Sequence, residues 1–191
     1  MSRWYVRIVI LLCALGIVPE ASAQSTFVKD EIPNCSVAKN VASSVPRTTP
    51  TIRLARAAVC LINEQRVNRG LPKLHLNSQL NQAAIWHTHD MVRRDYFGHI
   101  SGRGRDVVDR LYDARYLGGR FDWAVGENLA WGVGSLGSPK SIVHAWMDSP
   151  GHRRNMLDGR YREIGIGVIA DSPTQSGQPA ATYTTTFGIR R

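Results

Sequence analysis

The chain has 191 residues, with 24 Lys and Arg against 15 Asp and Glu, a formal net charge of +9. That length fits one domain with a substantial core. The cations are scattered, with no basic stripe interleaved with aromatic residues, which argues against nucleic acid as a partner.

The chain opens like a secretory leader. Arg3 and Arg7 form a positive n-region, Ile8 to Val18 an apolar core, and Ala21-Ser22-Ala23 a small-residue cleavage site before Gln24. The apolar core is too short to cross a bilayer, so residues 1–23 read as a signal peptide rather than an anchor. Cys13 follows Leu12 inside that core, which does not fit a lipoprotein site. Cleavage removes Arg3, Arg7 and Glu20 and leaves a charge of about +8; in a secreted or periplasmic protein this favours an anionic envelope component such as phospholipid, lipopolysaccharide, teichoic acid or acidic glycan. No later run is long and apolar enough to hold the mature chain in a membrane.

Residues 24–50 are rich in Ser, Thr, Val and Pro without a sustained period, and read as an arm or linker before a domain at 51–191. Cys35 and Cys60 form an even pair in an oxidising compartment, which suggests one disulfide; two free thiols, with Cys60 buried in a helix, is the alternative. Asn34-Cys35-Ser36 has the form of a glycosylation acceptor, but its middle residue is a cysteine expected to pair.

A helix is predicted after Pro50-Thr51, with Ile52, Ala55, Ala58, Val59 and Ile62 on one face and Gly70 and Pro72 ending it. A second starts behind Asn77 as N-cap and carries Leu80, Ala83, Ala84, His87 and Met91 on one face. Residues 105–115 predict a third, shorter helix with Val107, Val108 and Leu111 inward. The segment 126–132 is too short for a helix and reads as a strand or loop. A fourth helix is predicted from Ser138-Pro139, a cap followed by proline at the first helical position. Ile164 to Ala170 and Thr182 to Gly188 read as strands, joined by a polar loop. Helices first and strands later point to an α+β or layered α/β/α fold.

Three segments carry candidate chemistry. In Ser149-Pro150-Gly151-His152, Ser149 is expected to cap a helix and His152 to fall in its first turn, where the positive helix end favours a neutral imidazole. Glu127, between Gly126 and Asn128 in an apolar stretch, needs a partner if buried and could serve as a base or ligand. His99 follows Tyr96-Phe97-Gly98 and leads into a flexible loop. A further reading makes Glu127 and the histidines a structural hydrogen-bond network that holds the loops in place. Three other patterns carry less. Gly132-x-Gly134-x-x-Gly137 has too little chain after it for a dinucleotide fold. His87-Thr88-His89-Asp90 splits across helix faces, leaving His87 as a core histidine. Trp86, Trp123, Trp131 and Trp146 read as core rather than as a sugar-binding row.

Taken in order, the segments resemble the CAP superfamily of cysteine-rich secretory, antigen 5 and pathogenesis-related proteins, in its bacterial branch. The resemblance rests on Asn63-x-x-Arg66-x-x-x-Gly70-Leu71, Ala84-x-x-His87-x-x-Asp90-Met91, Tyr96-Phe97-Gly98-His99, Gly126-Glu127-Asn128-Leu129-Ala130, Trp146-Met147-Asp148-Ser149-Pro150-Gly151-His152-Arg153 and Phe187-Gly188. It implies a three-layer α-β-α sandwich with an open cleft. In better-known members that cleft carries two His and two Glu. His99 and Glu127 match the first of each, whereas Ser149 and Thr182 stand at the places of the second Glu and second His. The expectation is an exported domain binding an envelope component, lipid or peptide in a cleft lined by His99, Glu127, Asn128 and His152. His99 and His152 are the candidate ligands for a divalent metal such as zinc. The rival expectation is a weak, metal-assisted hydrolase of peptide or cell-wall bonds with Glu127 as base.

Overall fold

Alternation in three long strands builds the middle layer. In the computed structural model, which describes residues 35–36, 40–44, 48–119, 122–174 and 177–190, a mixed four-stranded sheet runs in the order β1-β3-β4-β2. The strands are β1 (His75–Leu76), β2 (Trp123–Val133), β3 (Glu163–Ile169) and β4 (Ala180–Arg190). β1 and β3 pair in parallel; β4 pairs antiparallel with both β3 and β2. The expected signal peptide and Asn34 lie outside the described residues. The segment 126–132 is strand, the middle of β2, and two-residue β1 was not foreseen.

One sheet face is apolar and bulky. Ile164, Ile166, Val168, Tyr183 and Phe187 point into the larger core, against helices α1 (Thr51–Val67), α4 (Pro139–Asp148) and α5 (Pro150–Leu157). The other face carries Gly165 and Gly167 on β3 and Thr184 and Thr186 on β4, and α2 (Ser78–Arg93) lies against it. The glycines are there for closeness: a Cβ on Gly165 would stand 2.1 Å from the Leu80 carbonyl carbon, and one on Gly167 2.5 Å from the Ala84 oxygen. The threonines bond across the same gap, Thr88 to Thr184 at 2.8 Å and Thr186 to the Leu80 carbonyl at 3.0 Å. Short α3 (Val107–Asp113) closes a smaller core of Leu80, Ala83, Leu111, Tyr116 and Leu117 on this side. The result is the expected α-β-α layering.

Local chemistry explains most helix ends. The Asn77 side chain accepts from the backbone N–H of Gln79 and Leu80, and that of Ser138 from Ser141. Asp106 and Asp109 form a reciprocal capping box on α3. Ser149 departs from expectation: Pro150 opens α5, but the serine hydroxyl makes no capping bond. Gly70, at φ +71°, reverses the chain after α1.

Two features tie distant parts together. Cys35 and Cys60 are disulfide-bonded with Cα atoms 5.6 Å apart, which settles the alternative of free thiols and joins the arm to α1. Arg66 is fully buried on the apolar face of α1 and donates to the carbonyls of Pro72, Met156, Asp158 and Tyr161. Asn63 pairs both ways with the Leu74 backbone. The Asn-x-x-Arg-x-x-x-Gly motif is thus a folding device that fixes the turn after α1 and the chain between α5 and β3. Of the four tryptophans named above, Trp146 is core, its indole N–H bonded to the Leu129 carbonyl, and Trp123 and Trp131 are half-buried. Trp86 is not core: it is 49% exposed on the outer face of α2.

Candidate functional site

The site begins with β2. Its alternation sends Glu127 toward the α2–α3 layer and Asn128 toward α5. The Glu127 side chain is 2% exposed, so its carboxylate must find partners within the protein. It has two. Oε2 accepts from Arg110 Nη2 at 2.7 Å, and Oε1 lies 2.8 Å from His99 Nδ1. A carboxylate next to a guanidinium is an acceptor, so Nδ1 is the protonated nitrogen of His99. The other ring nitrogen, Nε2, has no partner among the described residues, and the ring is 55% exposed.

Arg110 also fixes the loop that carries His99. Its Nη1 donates to the carbonyls of His99 and Arg105, at 3.0 and 2.9 Å. His87 secures the same loop from below, with Nε2 at 2.9 Å from the Gly98 carbonyl and a ring that burial holds below its ordinary pKa. The expected core histidine is therefore a support for Gly98, the residue just before His99. His89 is exposed, and Asp90 is engaged with Arg94 and Tyr96, so the His-Thr-His-Asp run does not converge.

Asn128 is fully buried and serves the other side. Its amide donates to the His152 carbonyl at 3.0 Å and accepts from Asn155, which also donates to the Glu127 carbonyl. These bonds lock the first turn of α5 onto β2 and bring His152 beside His99. Burial, and then the neighbouring His99, hold the His152 ring below its ordinary range, so it is neutral at pH 7. The structure thus brings His99, Glu127 and His152 together. It places Asn128 and Asn155 beneath them, and it adds Arg110, which sequence reasoning missed. One signal was present: Arg110 shares the inward face of α3 with Val107 and Leu111, where a cation requires a buried partner.

Thr182, at the place of the relatives' second histidine, lies away from His99 and Glu127. It sits level with Trp131, four residues along β4 from Thr186, the partner of Glu127, and its hydroxyl donates to the Asp171 carbonyl. The histidine near His99 is His152. A zinc ion needs at least three protein donors in a catalytic site and four in a structural one. Here two imidazoles stand beside a guanidinium, both Glu127 oxygens are occupied, and no group of three His, Cys, Asp or Glu side chains is poised for a metal among the described residues. These residues do not fit a zinc site. Two cavities lie elsewhere, one of about 720 Å³ between α1 and α4 and one of about 390 Å³ beside Trp86 on α2.

The chain belongs to the CAP, or cysteine-rich secretory protein, family, whose profile matches residues 59–187. Among curated proteins it is 33% identical over 117 residues to the uncharacterized membrane protein YlbC of Bacillus subtilis, covering 61% of this chain and 32% of that one. It is 29% identical over 150 residues to the uncharacterized protein YkwD of the same organism, covering 78% and 55%. The chain thus spans about a third and about half the length of these two relatives. An extracellular protein containing an SCP domain from Bacillus anthracis superposes with a TM-score of 0.59 at 27% identity, over 75% of this chain and 44% of that one. An outer surface protein of Borrelia burgdorferi gives 0.63 at 19% identity, over 75% and 97%, a likeness of fold alone.

Proposed function

We propose that this CAP domain is exported and binds a ligand through the His99 imidazole, with His152 beside it. The ligand class is an envelope component, lipid or peptide carrying an anionic or hydrogen-bonding group. One arrangement supports this reading above all: a carboxylate 2% exposed, held by Arg110, orients an imidazole 55% exposed. Burying an ion pair is a poor way to gain stability alone, whereas fixing one ring nitrogen inward leaves the other aimed outward with a set tautomer. Export is supported by the leader-like residues 1–23 and by the extracellular description of the Bacillus anthracis neighbour. No helix among the described residues is long and apolar enough to cross a membrane.

The test is mass spectrometry of small molecules that co-purify with the protein, compared with His99→Ala and with His99→Ala/His152→Ala. The expected result is a species retained by the parent and lost in both variants while circular dichroism is unchanged. Equal retention in all three would refute the reading.

The Glu127–His99 bond favours one form of the hydrolytic alternative. Glu127, buried with both oxygens engaged, would orient His99, and His99 Nε2 rather than the carboxylate would take a proton from water. Turnover of peptide or muropeptide that disappears in His99→Ala is the result this form requires; no turnover by the parent removes it.

A further inference from the structure

We propose that the groove between α1 and α4 is a second binding site, one that takes an acidic amphipathic peptide segment of a partner protein. The groove of about 720 Å³ shares no residue with the His99 site. Its apolar strip is Leu61 from α1 and Met147 from α4, both half-buried, with Val143 of α4, only 4% exposed, at its floor; all three also pack on the larger core. Val143 and Met147 are four residues apart and so lie on one face of α4.

Cations flank this strip. Lys140 stands near the start of α4, and its ammonium has no partner among the described residues. Arg69, just past α1, uses Nη1 on the Gln65 carbonyl and side chain, and its Nη2 has no partner among the described residues. The Arg153 guanidinium on α5 has one hydrogen bond among the described residues, to the Met147 carbonyl at 3.3 Å. The one acidic lining residue, Asp148, faces His144 at 3.5 Å. The lining is therefore net positive around a narrow apolar centre.

Charge and polarity choose the occupant. Only three of the ten lining residues are apolar, too few to sheathe an acyl chain, and the remainder are hydrogen-bonding or charged. A peptide suits such a surface. Its apolar side chains cover Leu61 and Met147, its carboxylates meet Lys140, Arg69 and Arg153, and its backbone bonds to groups such as Gln65 and Ser141. This is the helix-in-groove mode of recognition with charged flanks. A thioether at the floor lets one groove accept differing apolar anchors.

The experiment uses the full chain and three fluorescein-labelled twelve-residue probes: an amphipathic Glu/Leu peptide, its Lys/Leu counterpart, and a scrambled Glu/Leu peptide without an apolar face. Fluorescence anisotropy is read against the parent, against Lys140→Glu/Arg153→Glu, and against His99→Ala. The expected result is saturable binding of the amphipathic Glu/Leu peptide, at least tenfold tighter than either other probe. That binding weakens at least tenfold in the double charge reversal and is unchanged in His99→Ala, which separates this site from the one proposed above. Lys140 and Arg153 are exposed, so the reversal leaves the fold intact. Failure of the Glu/Leu peptide to bind, equal binding of the scrambled peptide, or indifference to the charge reversal would each overturn the proposal. So would co-sedimentation with phosphatidylglycerol vesicles that is abolished by the reversal while the peptide stays unbound.

Discussion

The substitution Glu127→Gln keeps the side-chain shape and removes one charge. In the parent, the carboxylate is 2% exposed and the Arg110 side chain 9%, with 2.7 Å between donor and acceptor. Breaking a buried ion pair from one side costs about 3–5 kcal/mol, because the remaining charge is left uncompensated. The amide oxygen still accepts one bond, from Arg110 or from His99, and recovers about 1 kcal/mol. The amide N–H₂ can be accepted only by His99, and only if the ring moves its proton from Nδ1 to Nε2, while the Arg110 charge stays uncompensated in either case. The expected loss is about 3 kcal/mol, read as a lower urea midpoint with an unchanged m-value, and as a fall in Tm of roughly 6–12 °C for a domain of this size. Adding Arg110→Met to Glu127→Gln should cost less than the sum of the singles by about 1 kcal/mol or more, since the pair is coupled. A loss below about 0.5 kcal/mol, or full additivity, would refute the reading of Glu127 as a carboxylate committed to Arg110 and His99.

Gly165→Ala drives a Cβ into the Leu80 backbone and should unfold the domain or cost several kcal/mol, whereas Gly102→Ala meets open space and should change the urea midpoint little. Reducing Cys35–Cys60 frees a 25-residue separation and should lower stability by about 3 kcal/mol on the chain-entropy model, measured by denaturation with and without reductant. Burial lowers the pKa of His87, so the unfolded chain binds that proton more readily than the folded one. Stability should therefore be full above about pH 6.5 and fall as the pH drops toward the lowered folded value, and His87→Phe should flatten that slope. Arg66→Met strands four carbonyl partners and should cost about 3 kcal/mol or more in urea unfolding.

Much of the fold was legible because its signals are local. The α1 and α2 stripes, the Asn77 and Ser138 caps, the prolines opening α4 and α5, and Gly70 each act within a turn or two of chain, and each stands where the pattern put it. What was missed is non-local. Arg66 finds its carbonyls 90 to 95 residues away in three of four cases, and Arg110 finds Glu127 17 residues on. Neither partner can be read from helical spacing, although both arginines fall on apolar stripes. Ser149 shows the opposite failure: a good capping residue whose hydroxyl makes no cap bond. Trp86 shows that a large apolar residue is not a burial signal by itself. At the site, family likeness pointed to His99 and Glu127, whose side chains lie 2.8 Å apart. Thr182 stands where the likeness puts the second histidine and lies away from this cluster, and the expected His152 is held against β2 by the Asn128 and Asn155 bonds.

At the centre of the site, His99 is held by Glu127 through Nδ1, with Nε2 turned outward. Long-range ¹H–¹⁵N correlation spectra of the imidazoles, recorded at about pH 8, read this directly. The prediction is a single Nδ1–H tautomer for His99 that is lost or averaged in Glu127→Gln. An Nε2–H tautomer in the parent, or a spectrum of His99 that does not respond to Glu127→Gln, would contradict it.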